Sequence, residues 1–361
     1  MKWSFKLGTL AGIAVYVHAT FFILLAWFTM SGFRAGQSPA EIVATLFFVL
    51  ALFGCVVLHE LGHALMARRY GIATRDITLL PIGGVARLER MPEDPGQEFR
   101  VAMAGPAVNV VIASILWVGL RLAGGATGAP TFDLTGGPFL ERLMVVNVVL
   151  VVFNLLPAFP MDGGRALRAL LASRMGHARA TRIAASIGQS MALGFGALGL
   201  FGNPFLILIA LFVWIGAAGE ANAAQLKHAL AGIPVAQAML TDFEVLSPGD
   251  PLQRAVALTL AGSQKAFPVV DGDRAVGMLS QQRLLQALAA GGQERPVAQA
   301  MEGDIEPADS GELLEPLLAR LQSTPSGALP VTHEGRIVGL ITLDNASEFL
   351  GFRAALEKRG S

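Results

Sequence analysis

Long apolar runs separated by short polar stretches fill the first 226 residues. Each run approaches the ~20 apolar residues that an α-helix needs to cross a bilayer. They fall at roughly 9–30, 41–67, 101–121, 139–159, 183–201 and 203–224, so about six membrane-spanning helices are expected. Only Gly202-Asn203-Pro204 separates the last two, which predicts a tight helical hairpin. Between the second and third runs the period shortens. Ile77-Thr78-Leu79-Leu80 and Val85-Ala86-Arg87-Leu88 are β-prone stretches flanking Gly83-Gly84, the pattern of a hairpin that turns at the two glycines.

The last third of the chain is patterned differently, and it repeats. Val235-Ala236-Gln237-Ala238-Met239 returns as Val297-Ala298-Gln299-Ala300-Met301, 62 residues later. The same offset carries Phe267-Pro268-Val269-Val270 onto Leu329-Pro330-Val331-Thr332, and Val276-Gly277-Met278-Leu279 onto Val338-Gly339-Leu340-Ile341. Three anchors at one offset indicate a duplicated unit, each copy reading as strand, helix, strand, turn, strand, helix. The expected domains are therefore 1–226 and 227–361, with the two copies at about 233–292 and 295–352.

Composition agrees with a membrane protein: 53% of residues are hydrophobic and 15% charged, against about 25% charged in soluble chains. A formal net charge of zero argues against a nucleic-acid partner. The one cysteine, Cys55, excludes an intrachain disulfide and reads as a packing residue. Lys2 and Lys6 ahead of an apolar run have the outline of a signal peptide. The run from Leu7 to Met30 exceeds a typical signal core, however, and reads as an uncleaved first span. Positive charge sets the orientation. Lys2, Lys6, Arg68, Arg69, Arg75, Arg87, Arg90, Arg100, Arg165, Arg168, Arg174, Arg179 and Arg182 fall on one side, and Arg34, Arg121 and Arg142 on the other. Both termini are expected in the cytoplasm.

His59-Glu60-Leu61-Gly62-His63 follows the apolar stretch Val43 to Val57, where ionisable side chains are expensive and therefore functional by default. Residues i and i+4 share a helix face, so His59 and His63 can offer two imidazole nitrogens to one metal while Glu60 reaches a water beside it. A catalytic zinc takes three protein ligands and leaves one position open. Asp162 is the candidate third ligand. It follows Pro157 and Pro160 at the end of the fourth run, in Asn154-Leu155-Leu156-Pro157-Ala158-Phe159-Pro160-Met161-Asp162-Gly163. An Asp-Gly pair alone reads as a turn cap. The second and fourth spans run in the same direction, however, which brings His63 and Asp162 to one depth on one side. His18, in the first span without a spacing partner, reads as a polar packing or gating residue.

These two motifs resemble those of the site-2 protease family of intramembrane zinc metalloproteases, and the resemblance covers about residues 1–226. It implies that His59, His63 and Asp162 bind one Zn2+, that Glu60 is the general base, and that Asn154 lies near the scissile bond. It also implies that the hairpin around Gly83 and Gly84 dips into the membrane and offers its edge to an unfolded substrate strand. Gly105-Pro106-Ala107-Val108-Asn109 matches a further family motif, for which helix packing is the expected role. The implied substrate is a membrane protein, such as a membrane-tethered transcription factor or its regulator. The implied location is the bilayer of a bacterial or archaeal cell, with regulated intramembrane proteolysis as the activity.

The duplicated tail resembles a pair of cystathionine-β-synthase (CBS) domains. The fold class expected is thus a polytopic α-helical membrane protein with a cytoplasmic α/β CBS-pair domain. Such pairs bind adenosine nucleotides such as ATP through a Ser or Thr followed three residues on by Asp. Here Thr342 and Asn345 hold those positions in the second copy, while Ser280 is followed by Arg283 in the first, leaving Arg283 to meet phosphate. The alternative role for the tail is dimerisation, giving a homodimer. For the whole chain, the alternative is a CBS-gated metal transporter or channel that uses the same His/Asp cluster for transit.

Overall fold

The computed structural model describes residues 3–92, 94–123 and 137–357. It divides into two compact units, residues 1–224 and 225–361. The first unit does not begin with a spanning helix. β1 (Ser4–Leu10) and β2 (Ile13–His18) form an antiparallel hairpin turning at Ala11 and Gly12, both at positive φ. Ile13, Val15 and Val17 are buried while Ala14, Tyr16 and His18 are less so, the alternation of a strand with one packed face. The expected first span at 9–30 is therefore corrected: a run of apolar residues with period two was read as a helix. His18 is likewise placed outside a span, with a local polar role. It is the N-cap of α1 (Ala19–Arg34), its Nδ1 accepting from the backbone N–H of Thr20 at 3.3 Å.

α2 (Pro39–Arg69) starts at a reciprocal cap: Ser38 Oγ accepts from the Glu41 N–H, and the Glu41 carboxylate from the Ser38 N–H at 2.7 Å. β3 (Thr74–Leu80) and β4 (Gly83–Leu88) follow, then α3 (Pro95–Leu122), α4 (Phe139–Asn154), α5 (Asp162–Met175), α6 (His177–Phe201) and α7 (Phe205–Leu230). The hairpin turns at Pro81 and Ile82, not at the glycines, and Gly83 and Gly84 are the first residues of β4. β3 also pairs in parallel with β2, giving a four-stranded sheet of order β1-β2-β3-β4 that leaves β1 and β4 at the edges.

Four described helices are long and apolar enough to cross a bilayer: Pro39–Arg69, Pro95–Leu122, His177–Phe201 and Phe205–Leu226. α1 and α4 have 16 residues each, and at 1.5 Å per residue they are about 24 Å long. The fourth run was expected to be helical to 159. α4 ends at Asn154 because Pro157 and Pro160 lack the N–H that a continuing helix needs. Val111, Ile115 and Leu208 are exposed on the long helices, as apolar side chains that face lipid would be, and Phe22 and Trp27 are exposed on α1.

The second unit keeps the 62-residue offset element by element. In the first copy it has α8 (Leu252–Ala261), β5 (Ala266–Asp271), β6 (Arg274–Ser280) and α9 (Gln281–Gly291). After β7 (Glu302–Gly303) and β8 (Ala308–Asp309), the second copy has α10 (Leu314–Ser323), β9 (Ala328–His333), β10 (Arg336–Thr342) and α11 (Leu343–Glu357). The expected leading strand of each copy is almost absent. It is β8 in one copy and a single bridge from Leu246 to Val269 in the other. Ala266, Met278, Ala328 and Leu340 pack the two copies together.

Candidate active site

Three donor atoms from two distant parts of the chain meet at one point. His59 Nε2 and His63 Nε2 are 3.1 Å apart, and each is 3.1 Å from Asp162 Oδ2. All three residues are buried. Tetrahedral bonds of about 2.0 Å hold neighbouring ligand atoms about 3.3 Å apart, so this nearly equilateral triangle has the size of a zinc site. Two imidazoles and a carboxylate are also the donor chemistry zinc takes.

Local sequence explains how each donor is aimed. His59 and His63 lie one turn apart on α2. Gly105 of α3 faces them directly: a Cβ there would sit 2.1 Å from His63 Nε2 and 2.6 Å from His59 Nε2. Glycine at 105 thus keeps the space that a bound ion requires. Asp162 is the first residue of α5, where the positive end of the helix dipole favours a carboxylate. The turn before it is packed so tightly that side chains at Gly163 and Gly164 would meet the backbone of Leu156 and Ala158 at 2.3 and 2.6 Å. Arg168, two turns further along α5, donates to Glu98 of α3 at 2.6 Å and to Glu220 of α7 at 3.0 Å, fixing α5 between them.

The outer nitrogens of both imidazoles are also held. His63 Nδ1 lies 2.7 Å from the Val101 carbonyl, and His59 Nδ1 lies 2.5 Å from Asn109 Oδ1. A carbonyl can only accept, so His63 must donate from Nδ1, which frees Nε2 as a ligand. His59 reaches the same state through a relay. Asn147 donates from its amide nitrogen to the Leu143 carbonyl at 2.8 Å, so its oxygen accepts from Asn109 Nδ2 at 2.8 Å. That orientation presents Asn109 Oδ1 to His59, whose Nδ1 then carries the proton. Orienting partners of this kind are a regular part of metal sites.

Glu60 stands outside the triangle. Its Oε2 accepts the Ala86 N–H of β4 at 3.0 Å, and Gly84 is so near that a Cβ there would meet Glu60 Cγ at 2.8 Å. Glu60, the three donors, Asn154, Gly83, Gly84 and Arg165 all line one cavity of about 330 Å3. One cavity therefore brings together His59, Glu60, His63, Asp162, Asn154, Gly83 and Gly84 of the residues singled out in the sequence.

Sequence reasoning missed Asn109, Asn147, Gly105 and the Ala86 amide. The packing role expected for the motif at 105–109 is corrected, since its ends touch the two histidines. Two asparagines within apolar helices were the available signal, because buried polar groups in a membrane need partners. Cys55 Sγ lies 3.4 Å from Asn147 Nδ2, outside the donor set.

In the second unit, Thr342 and Asn345 line a cavity of about 660 Å3 with Lys265 and Asp344. Thr342 Oγ1 also caps α11, accepting the Asn345 N–H at 3.1 Å. Arg283 is not in that wall. Its backbone N–H meets Ser280 Oγ at 3.3 Å, the equivalent cap on α9.

The family model for peptidase family M50 matches residues 47–132 and 126–195, and that for the CBS domain matches residues 235–290. A zinc metalloprotease of Methanocaldococcus jannaschii is 35% identical over 280 residues, covering 77% of this chain and 78% of the relative. Rip3 of Mycobacterium tuberculosis is 30% identical, covering 97% of this chain and 93% of its own length. Among solved structures, the site-2 protease of Methanocaldococcus jannaschii is similar at 38% identity over 61% of this chain and 95% of that one, with a TM-score of 0.46. With relatives at this identity and coverage the chain belongs to the site-2 protease family of zinc metalloproteases, peptidase family M50, and carries a CBS domain at residues 235–290.

Proposed function

We propose that this zinc metalloprotease cuts a peptide bond within or beside the transmembrane segment of a membrane-tethered protein. The observation that carries this reading is the position of Glu60. It is next to His59 in sequence, outside the donor triangle, and held by a backbone amide at the wall of the catalytic cavity. His59, His63 and Asp162 would hold the metal. Zinc, when bound, lowers the pKa of a coordinated water toward ~7 and polarises a carbonyl oxygen. Glu60 accepts the proton of the attacking water and later delivers it to the leaving amine, with its Oε2 steadied by Ala86. Asn154, at the end of α4, would hold the substrate carbonyl or backbone from the same cavity. The edge of β4 offers main-chain groups to a substrate segment drawn out of its helix. A metal-transit site has no use for a carboxylate kept beside the ligands but outside them.

On this reading α1 and α4 cross the bilayer as well, giving six spans, with both termini and the CBS pair in the cytoplasm of a prokaryotic cell. The cavity at Thr342 and Asn345 supports an adenosine nucleotide as modulator, and the duplicated fold also suits a homodimer. The test is cleavage of single-span reporters by the full chain in vesicles, with and without ATP, the fragments being mapped by mass spectrometry. A cut in or within a few residues of the apolar segment supports the reading. Cuts confined to soluble peptides, with tethered reporters left intact, overturn it.

A further inference from the structure

Beside the catalytic cavity, along β4, lies a basic rim. A second cavity of about 390 Å3 is lined by Arg75, Arg87, Arg90, Arg165 and one acid, Glu89. Ala86 and Arg165 belong to the walls of both cavities, so the rim adjoins the cavity that holds Glu60. Arg87 is already engaged by Asp76. Arg75 and Arg90 have no hydrogen-bond or ion-pair partner among the described residues. Arg165 approaches Glu220 only at 4.0 Å, and its Nε is buried without a hydrogen-bond partner. A buried, unsatisfied guanidinium nitrogen costs free energy that a ligand's acceptor can recover.

We propose that Arg165, Arg75 and Arg90 form a subsite for an acidic side chain of the substrate, on the side of the scissile bond that runs along β4 toward Leu88. Ala86, which holds Glu60, and Arg90 of the rim are four residues apart in the chain, so a substrate strand running beside β4 would carry the favoured Asp or Glu within about four residues of the bond cut. Guanidinium forks match carboxylates in shape as well as charge. A peptide carboxylate fits better than a lipid phosphate because Arg165 lines the interior cavity beside Glu60, next to the strand edge that a peptide would follow. The inference rests on the protease reading, and it specifies the substrate class that reading leaves open.

The experiment measures peptide binding to the zinc-loaded full chain carrying Glu60→Gln, so that nothing is consumed. The probes are two fluorescent peptides with the same apolar core, followed by Asp-Glu or by Lys-Lys. The acidic peptide should bind at least about tenfold tighter, the scale of one charge-assisted contact. Arg165→Gln should shrink the preference, Arg75→Gln with Arg90→Gln should abolish most of it, and Arg75→Glu with Arg90→Glu should reverse it. Zinc content reports that each variant is folded. Equal affinities, no binding of either peptide, or a preference that survives charge reversal would overturn the subsite. So would a charge reversal that alters only binding to phosphatidylglycerol over phosphatidylcholine vesicles, which would assign the rim to the bilayer. Absence of proteolysis by the zinc-loaded chain with Glu60 in place, the binding preference being intact, would count against the protease reading alone.

Discussion

Asn109 Oδ1 lies 2.5 Å from His59 Nδ1, so an amide in the third helix decides which nitrogen of the histidine faces the metal. The amide is itself oriented by Asn147 and ultimately by the Leu143 carbonyl, which can only accept. A protein backbone group thereby sets the protonation of a metal ligand through two side chains.

Asn109→Ala should therefore lower zinc affinity by about 10- to 100-fold, the usual effect of losing an orienting partner. Asn147→Ala should act in the same direction and more weakly, because Asn109 stays in place but loses its fixed orientation. Competition for zinc with a chelator of known affinity measures both. Unchanged affinity in Asn109→Ala would remove the relay from the account.

Gly105→Ala places a methyl group on the ligand nitrogens, 2.1 Å from His63 Nε2before any relaxation. The variant should lose most of its zinc and its activity together. Gly54→Ala, on the α2 helix where an added Cβ meets nothing within 4 Å, is the control and should keep both. Full zinc occupancy in Gly105→Ala would mean that the ion sits elsewhere.

The β3–β4 hairpin carries a pH dependence of its own. Burial pushes the Asp76 carboxyl up, but hydrogen bonds from Arg87 and Thr78 and the charge of Arg87 outweigh it, leaving its pKa below the ordinary value. Stability from a depressed carboxylate is complete above the unfolded pKa of about 3.9 and is lost as pH falls toward the folded value. Asp76→Asn should thus weaken amide-exchange protection in Thr74–Leu88 at pH 6 by about 1–2 kcal/mol, and the gap from the native chain should close below about pH 4. A gap that persists unchanged into acid would contradict the ion pair.

The sequence was most legible where a feature repeats or has only one chemical use. The 62-residue offset maps α8 onto α10, β5 onto β9 and β6 onto β10 without adjustment. His59, Glu60, His63 and Asp162 were legible because ionisable groups beside an apolar run require a reason. Residues 9–18 were misread because Leu10, Ile13, Val15 and Val17 are apolar whether they line a strand or a span, and only the alternation from Ile13 onward separates the two. The hairpin turn was misplaced because a Gly pair is a strong turn signal. Here Pro81 makes the turn, and Gly84 instead leaves room for Glu60. The parallel pairing of β2 with β3 joins residues some 60 apart, beyond the reach of any local pattern.

The most direct test is to measure zinc content and cleavage in the same preparation of Glu60→Gln. The substitution keeps the size of the side chain and the acceptor for Ala86, but cannot take the proton of the attacking water. Cleavage of a membrane-tethered reporter should fall by at least about a hundredfold while about one zinc per chain is retained. Asp162→Ala, measured alongside, should lose zinc and cleavage together. Near-normal cleavage by Glu60→Gln would contradict the assignment of the base, and full zinc retention by Asp162→Ala would contradict the donor set.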